Sequence, residues 1–157
     1  MTQKQGKCIF THMAKKRDSK ELFNCTCLNL RMAARRMTQA YDRAFRPIGL
    51  RATQFTLISA IGEEGPVSIT VLAGKLAMDR TTLTRDLKPL EREGLVKIRQ
   101  GKDRRIRLLE LSDTGRLKRD QGIPIWESLQ LGVLDQMGKK KWRNLMRSLD
   151  RVSKTTA

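Results

Sequence analysis

The stretch Met78–Leu111 constrains the fold more than any other part of the chain. Leu83, Leu87 and Leu90 recur at spacings of four and three, which gathers them on one side of a helix. Asp79 stands where a helix N-cap is wanted, and Gly94 where a glycine ends one, so a helix is expected from Asp79 to about Glu93. Pro89 removes one backbone donor from it, and a bend is expected there. A strand, Leu95 to Arg99, a turn, Gln100–Asp103, and a second strand, Arg105 to Leu111, should follow. The second strand alternates, with Ile106, Leu108 and, less cleanly, Glu110 on one face and Arg107, Leu109 and Leu111 on the other. Gly101 and Asp103 suit the tip of a hairpin.

Helices surround this unit. Residues 24–48 read as one helix, with Leu30, Ala33, Met37, Tyr41, Ala44 and Ile48 on one face and Pro47 with Gly49 ending it. Thr53 to Ile61 reads as a short helix capped by Thr53, and Ser68 caps a third. Ala77 and Met78 form a tight connection into the Asp79 helix. Ser112 or Asp113 caps a long helical region, Thr114–Met137, which is expected to bend or break at Pro124. A last helix, Lys139–Ser153, carries an apolar stripe of Trp142, Leu145, Met146, Leu149 and Val152 opposite a basic face. Residues 1–23 are polar and basic without a sustained period and read as a flexible arm. The expected class is mostly α with a small β-hairpin wing.

Charge limits the partners. The net charge is +17, from 33 Lys and Arg against 16 Asp and Glu. Such a surplus attracts polyanions: nucleic acid first, then anionic membrane surfaces and acidic proteins. No apolar run approaches the roughly 20 residues that cross a bilayer, and no secretory leader is evident, so the cytoplasm is the expected location. The three cysteines, Cys8, Cys25 and Cys27, form no even set for a disulfide framework. With one histidine, His12, no four-ligand metal spacing exists. No nucleotide loop and no nucleophile–base pair is present. Neither an enzyme nor a cofactor is expected.

Two basic surfaces are candidates for DNA contact. With the leucines turned inward, Arg80, Thr81, Thr84, Arg85 and Lys88 share the opposite face of the Asp79 helix. A helix of this width fits the major groove, where Arg can pair with guanine and Thr can touch a thymine methyl. The preceding helix and short connection complete a helix-turn-helix. On an isolated helix such a face would be only a solvated side. Next, Lys97, Arg99, Lys102, Arg104, Arg105 and Arg107 load the hairpin with positive charge, with Asp103 placed to brace a neighbouring Arg. A projecting basic turn can enter a narrow minor groove. The same charge could merely protect an edge strand.

These segments, in this order, resemble the MarR family. The resemblance runs through Gly49-Leu50 and Gln54-Phe55, then 78–85 (MDRTTLTR), 90–96 (LEREGLV), Asp103-Arg104-Arg105 and 111–115 (LSDTG), and covers about Asn24 to the C-terminus. It implies a homodimer that recognises a palindromic operator in double-stranded DNA, usually as a repressor. It further implies a winged helix-turn-helix core, 50–112, between dimerisation helices at 24–48 and 114–153. Carried over by position, Arg80, Thr81, Thr82, Thr84 and Arg85 would face bases or phosphates. Asp103 and Arg105 match the family's wing pair, with Arg104 at the tip.

Two sensors are conceivable. The resemblance implies a small effector, often an aromatic or phenolic acid, held between dimerisation helices and core. Tyr41, Phe55 and Trp126 are the candidates to line that pocket, with Arg31, Arg35 or Arg46 to meet a carboxylate. The bland alternative makes the aromatics core and the arginines solvated. Cys25 and Cys27 open the first helix, where the helix dipole favours a thiolate, so a thiol-based redox switch is the second option. A non-specific architectural nucleic-acid binder is the remaining alternative.

Overall fold

The computed structural model describes residues 23–101, 103 and 106–155. Residues 1–22 of the proposed arm, with Cys8 and His12, and Lys102, Arg104 and Arg105 of the wing lie outside the described residues. The chain divides into two compact units, 1–37 and 38–157. The first helix, α1 (Thr26–Phe45), crosses that division. In the first unit, Asn29 Nδ2 donates to the carbonyls of Phe23 and Cys25 at 2.6 and 3.0 Å, which ties the residues before the helix to its first turn.

The second unit follows the expected order closely. A 3-10 turn at Arg46–Ile48 ends α1, and Gly49 closes it at φ +72°, a backbone conformation that favours glycine. Then come α2 (Ala52–Glu64), β1 (Val67–Ser68), α3 (Ile69–Lys75), α4 (Arg80–Arg92), β2 (Val96–Gln100), β3 (Arg107–Leu111), α5 (Asp113–Met137) and α6 (Lys139–Thr155).

Three details differ from the sequence reading. First, Thr53 does not cap α2. Arg51 holds the cap position with an extended backbone, and its N–H donates to Gln54 Oε1 at 2.9 Å. Asp42 Oδ1 accepts from the Ala52 N–H at 2.7 Å, so a residue from the preceding helix satisfies the next orphan donor. Second, the hairpin is part of a three-stranded antiparallel sheet of order β1-β3-β2, with Val67 opposite Leu109 and Ile98 opposite Leu109 on the other side. Third, α5 continues through Pro124 without a break. Ile123 and Ile125 on either side pack against the core and hold the helix across the missing bond.

One core joins these elements as far as α5. Ile58, Ile61, Leu72, Leu83, Leu90 and Leu109 are fully buried. Phe45 stacks on Phe55 at 4.5 Å between ring centres, and Tyr41 on Phe45 at 5.9 Å. Two glycines on α5 permit close packing. A Cβ at Gly122 would lie 2.3 Å from the Phe55 ring, and one at Gly115 would lie 2.0 Å from the Leu95 carbonyl oxygen. The second clash is with backbone, which cannot swing aside. Gly115→Ala is therefore expected to destabilise the unit by about 3 kcal/mol. Urea denaturation checks this, and an unchanged midpoint would contradict the packing described.

Candidate nucleic-acid interface

The helix-turn-helix begins at Ser68, whose Oγ accepts from the Val71 N–H at 3.2 Å and caps α3. The connection to α4 is tight. Met78 N–H donates to the Ala73 carbonyl at 2.9 Å, and Ala77 takes φ +51° to make the turn. Asp79 then caps α4 doubly: Oδ1 accepts from the Thr82 N–H at 2.8 Å and Oδ2 from the Thr82 hydroxyl at 2.6 Å. These bonds, the side-chain one first, hold the Asp79 carboxyl below its ordinary pKa.

Leu83, Leu87 and Leu90 fix the rotation of α4 by entering the core. The opposite face is thereby forced outward. Arg80, Thr81, Thr84, Arg85 and Lys88 are all exposed and together line an open groove of about 710 Å³. The Thr84 hydroxyl donates to the Arg80 carbonyl at 2.7 Å, which fixes the side chain and leaves its methyl and lone pairs outside. Arg85 pairs with the neighbouring Asp86, at 3.4 Å, across exposed surface. Thr82 stands apart, since its hydroxyl is engaged in the cap. Sequence position alone placed it with the DNA-facing residues.

The wing springs directly from this helix. Gly94, at φ +68°, ends α4, and Leu95 N–H returns to the Leu90 carbonyl at 2.8 Å. In the sheet, Lys97, Arg99 and Arg107 are exposed. Arg99 forms an ion pair with Glu110 on β3, so part of its charge is internally answered, a pairing the residue pattern did not suggest. At the tip, Gly101 N–H donates to the Ile106 carbonyl at 2.8 Å and Ile106 N–H to the Asp103 carbonyl at 2.9 Å. Asp103 is exposed there.

The comparisons with known proteins agree with this geometry. The family model described as MarR family matches residues 50–106, the segment from Leu50 to Ile106, just before β3. The crystal structure of the Mycobacterium tuberculosis transcriptional regulator MosR in complex with DNA is 36% identical, covers 84% of this chain and 96% of that one, and superposes with a TM-score of 0.77. The organic hydroperoxide resistance transcriptional regulator of Bacillus subtilis is 27% identical over 128 residues, 81% of this chain and 86% of its own length. A probable transcriptional regulator from Pseudomonas aeruginosa is 25% identical with a TM-score of 0.75, over 83% of this chain and 98% of that one.

The chain belongs to the MarR family. It is a DNA-binding transcriptional regulator with a winged helix-turn-helix fold.

Within this MarR-family chain the candidate effector residues fall in several places. Tyr41 and Phe55 belong to the stacked aromatic cluster with Phe45. Arg46 lines a polar cleft of about 500 Å³ with Asp42, Arg51, Gln54 and Glu93. Trp126 lines an apolar groove with Leu131, Leu134 and Trp142 on the last two helices. Arg31 and Arg35 are exposed on the first half of α1. Sequence reasoning missed two further groups. Ser59 Oγ and Arg119 Nε, like the Tyr41 hydroxyl, are buried without a hydrogen-bond partner among the described residues. Burial raises the Tyr41 pKa. Ser59 lies one turn beyond Phe55 on α2, and Arg119 packs over Gly62, where a Cβ would come within 2.8 Å of its Cδ. Cys25 and Cys27 are free and exposed.

The Asp79 cap has a testable pH signature. Its folded-state pKa is depressed, so its contribution is present above the unfolded carboxylate value, near 3.9, and is lost as pH falls through the lower folded value. The difference in urea midpoint between the wild type and Asp79→Ala should be constant around neutrality and shrink as pH drops below about 4. A difference that grows on acidification would contradict the cap.

Proposed function

We propose that this MarR-family regulator is a homodimeric repressor that holds a palindromic operator with α4 in the major groove. The carrying observation is the exposed row of Arg80, Thr81, Thr84, Arg85 and Lys88 on a helix locked from behind by three buried leucines. Residues 50–112 are the DNA-binding core in this reading. The wing residues Lys102, Asp103, Arg104 and Arg105 follow the groove edge and supply minor-groove and phosphate contacts. The 24–48 and 114–153 helices form the dimer. Trp126, Leu131, Leu145 and Met146 support this, because a single chain leaves them between 38% and 59% exposed on α5 and α6. Two-fold pairing would set the recognition helices one DNA turn apart, roughly 34 Å. A protein with this task works where the DNA is, in the cytoplasm, and the described helices include none long and apolar enough to cross a membrane.

Release from the operator follows from a small aromatic or phenolic acid in this account. The buried, unanswered Tyr41 hydroxyl, Ser59 hydroxyl and Arg119 Nε favour that reading, because an acid or phenol could satisfy them. A second reading, thiol-based sensing, is favoured by the exposure of Cys25 and Cys27 and by the organic hydroperoxide resistance in the name of the Bacillus subtilis relative. A thiolate attacking a hydroperoxide would become sulfenic acid and release an alcohol.

Operator DNA should be bound about a thousandfold or more tighter than random duplex at the same salt. Arg85→Ala should cut that ratio by about tenfold or more while leaving non-specific affinity nearly intact. Equal binding of both DNAs by the wild type would instead support an architectural role. For the sensor, operator release by an organic hydroperoxide that disappears in Cys25→Ser/Cys27→Ser supports the thiol reading. Release by an aromatic acid that survives in that variant supports the pocket.

A further inference from the structure

We propose that α6 carries a second DNA-binding surface, which grips the phosphates of a duplex other than the one held by α4. The densest charge in the described chain is not on the recognition helix. Seven of the 17 residues of α6 are Lys or Arg and one is acidic, a net of +6, whereas α4 has four against two, a net of +2. The single acid of the helix, Asp150, is paired with Lys154 at 2.8 Å, and among the described residues no acid forms an ion pair with Arg143, Arg147 or Arg151. Arg147 donates to the neutral Asn144 amide at 2.6 Å, so it keeps its charge.

The arrangement is a row. Arg143, Arg147 and Arg151 are spaced four apart, so they lie on one face over about 12 Å of helix, and all three are exposed. Trp142, Leu145, Met146, Leu149 and Val152 lie on the opposite face. That apolar face can be covered completely, by a second copy or by α5, and the arginine row stays open. The row is also remote from the recognition site along the chain. α5 is capped by Ser112, which is bonded to Leu95 behind α4, and runs 25 residues, about 37 Å, before Gly138 leads into α6. The element that α6 chiefly packs against is α5.

A duplex fits this surface better than a membrane does. An interfacial helix must sink its apolar face into lipid. Here Trp142 on that face is turned to a groove with Trp126, Leu131 and Leu134 of α5. A phosphate backbone needs only the exposed cations, and arginine pairs with phosphate in a fixed fork.

The test is capture of a second duplex by operator-bound protein. Full-length protein is loaded on immobilised operator, excess free operator fills the remaining α4 surfaces and is then washed away, and a labelled 30-base-pair duplex of unrelated sequence is added at about 50 mM salt. The wild type should retain the label. Arg143→Gln/Arg147→Gln/Arg151→Gln should retain at least tenfold less, with operator affinity unchanged within twofold, while the triple Arg→Lys variant keeps capture. The salt dependence of capture should become shallower by roughly 3, about 0.9 for each phosphate contact removed. No capture by the wild type, equal capture by the Gln variant, or a parallel loss of operator affinity would overturn the proposal. Row-dependent binding to phosphatidylserine vesicles without capture of DNA would also overturn it, in favour of a membrane surface. Failure here leaves operator binding, measured in the same experiment, standing on its own.

Discussion

Three leucines on one side of α4 determine what the rest of the molecule can do. Leu83, Leu87 and Leu90 are at most 1% exposed. Each buries a side chain worth roughly 1.5–3 kcal/mol when fully removed from water. That anchorage fixes the rotation of the helix, and a helix fixed in rotation has only one other face to offer. The residues on that face are two arginines, a lysine and two threonines. Their outward direction is a consequence of core packing rather than of any property of their own.

The same helix is held at both ends. Asp79 closes its start through Thr82, and Gly94 turns the chain out of its end. Ser112 then ties that end to the next long helix. Its Oγ donates to the Gly94 carbonyl at 2.6 Å and accepts from the Gly115 N–H at 2.9 Å, while its own N–H reaches the Leu95 carbonyl at 3.1 Å. The absence of a side chain at Gly115 lets α5 lie directly on Leu95. The recognition helix, the wing and α5 therefore meet at one buried joint.

Much of this was legible in the sequence because the signals were local. The leucine spacing, the Ser68, Asp79 and Ser112 caps and the Gly94 stop each act within a few residues. What was not legible depended on partners distant in the chain. The α2 start needed Asp42 from another helix, where Thr53 looked sufficient. β1 is two residues long, too short to alternate, and exists by pairing with β3. The effector candidates show the same limit. The sequence offered Tyr41, Phe55 and Trp126 as lining one pocket but could not say which faces meet, and Trp126 lies with Trp142 rather than in the Phe45–Phe55 stack. Ser59 and Arg119 carried no pattern at all, and only their unanswered burial marks them. Among the DNA-facing candidates, Thr82 illustrates that a position within a motif can also serve the cap.

The Arg80–Lys88 face is proposed to read base edges in the major groove. Replacing operator guanines one at a time with 7-deazaguanine removes the N7 acceptor and leaves the phosphates untouched. Affinity should fall about tenfold at a few guanines, in two symmetric clusters roughly one helical turn apart. Uniform affinity across every substituted position would contradict it.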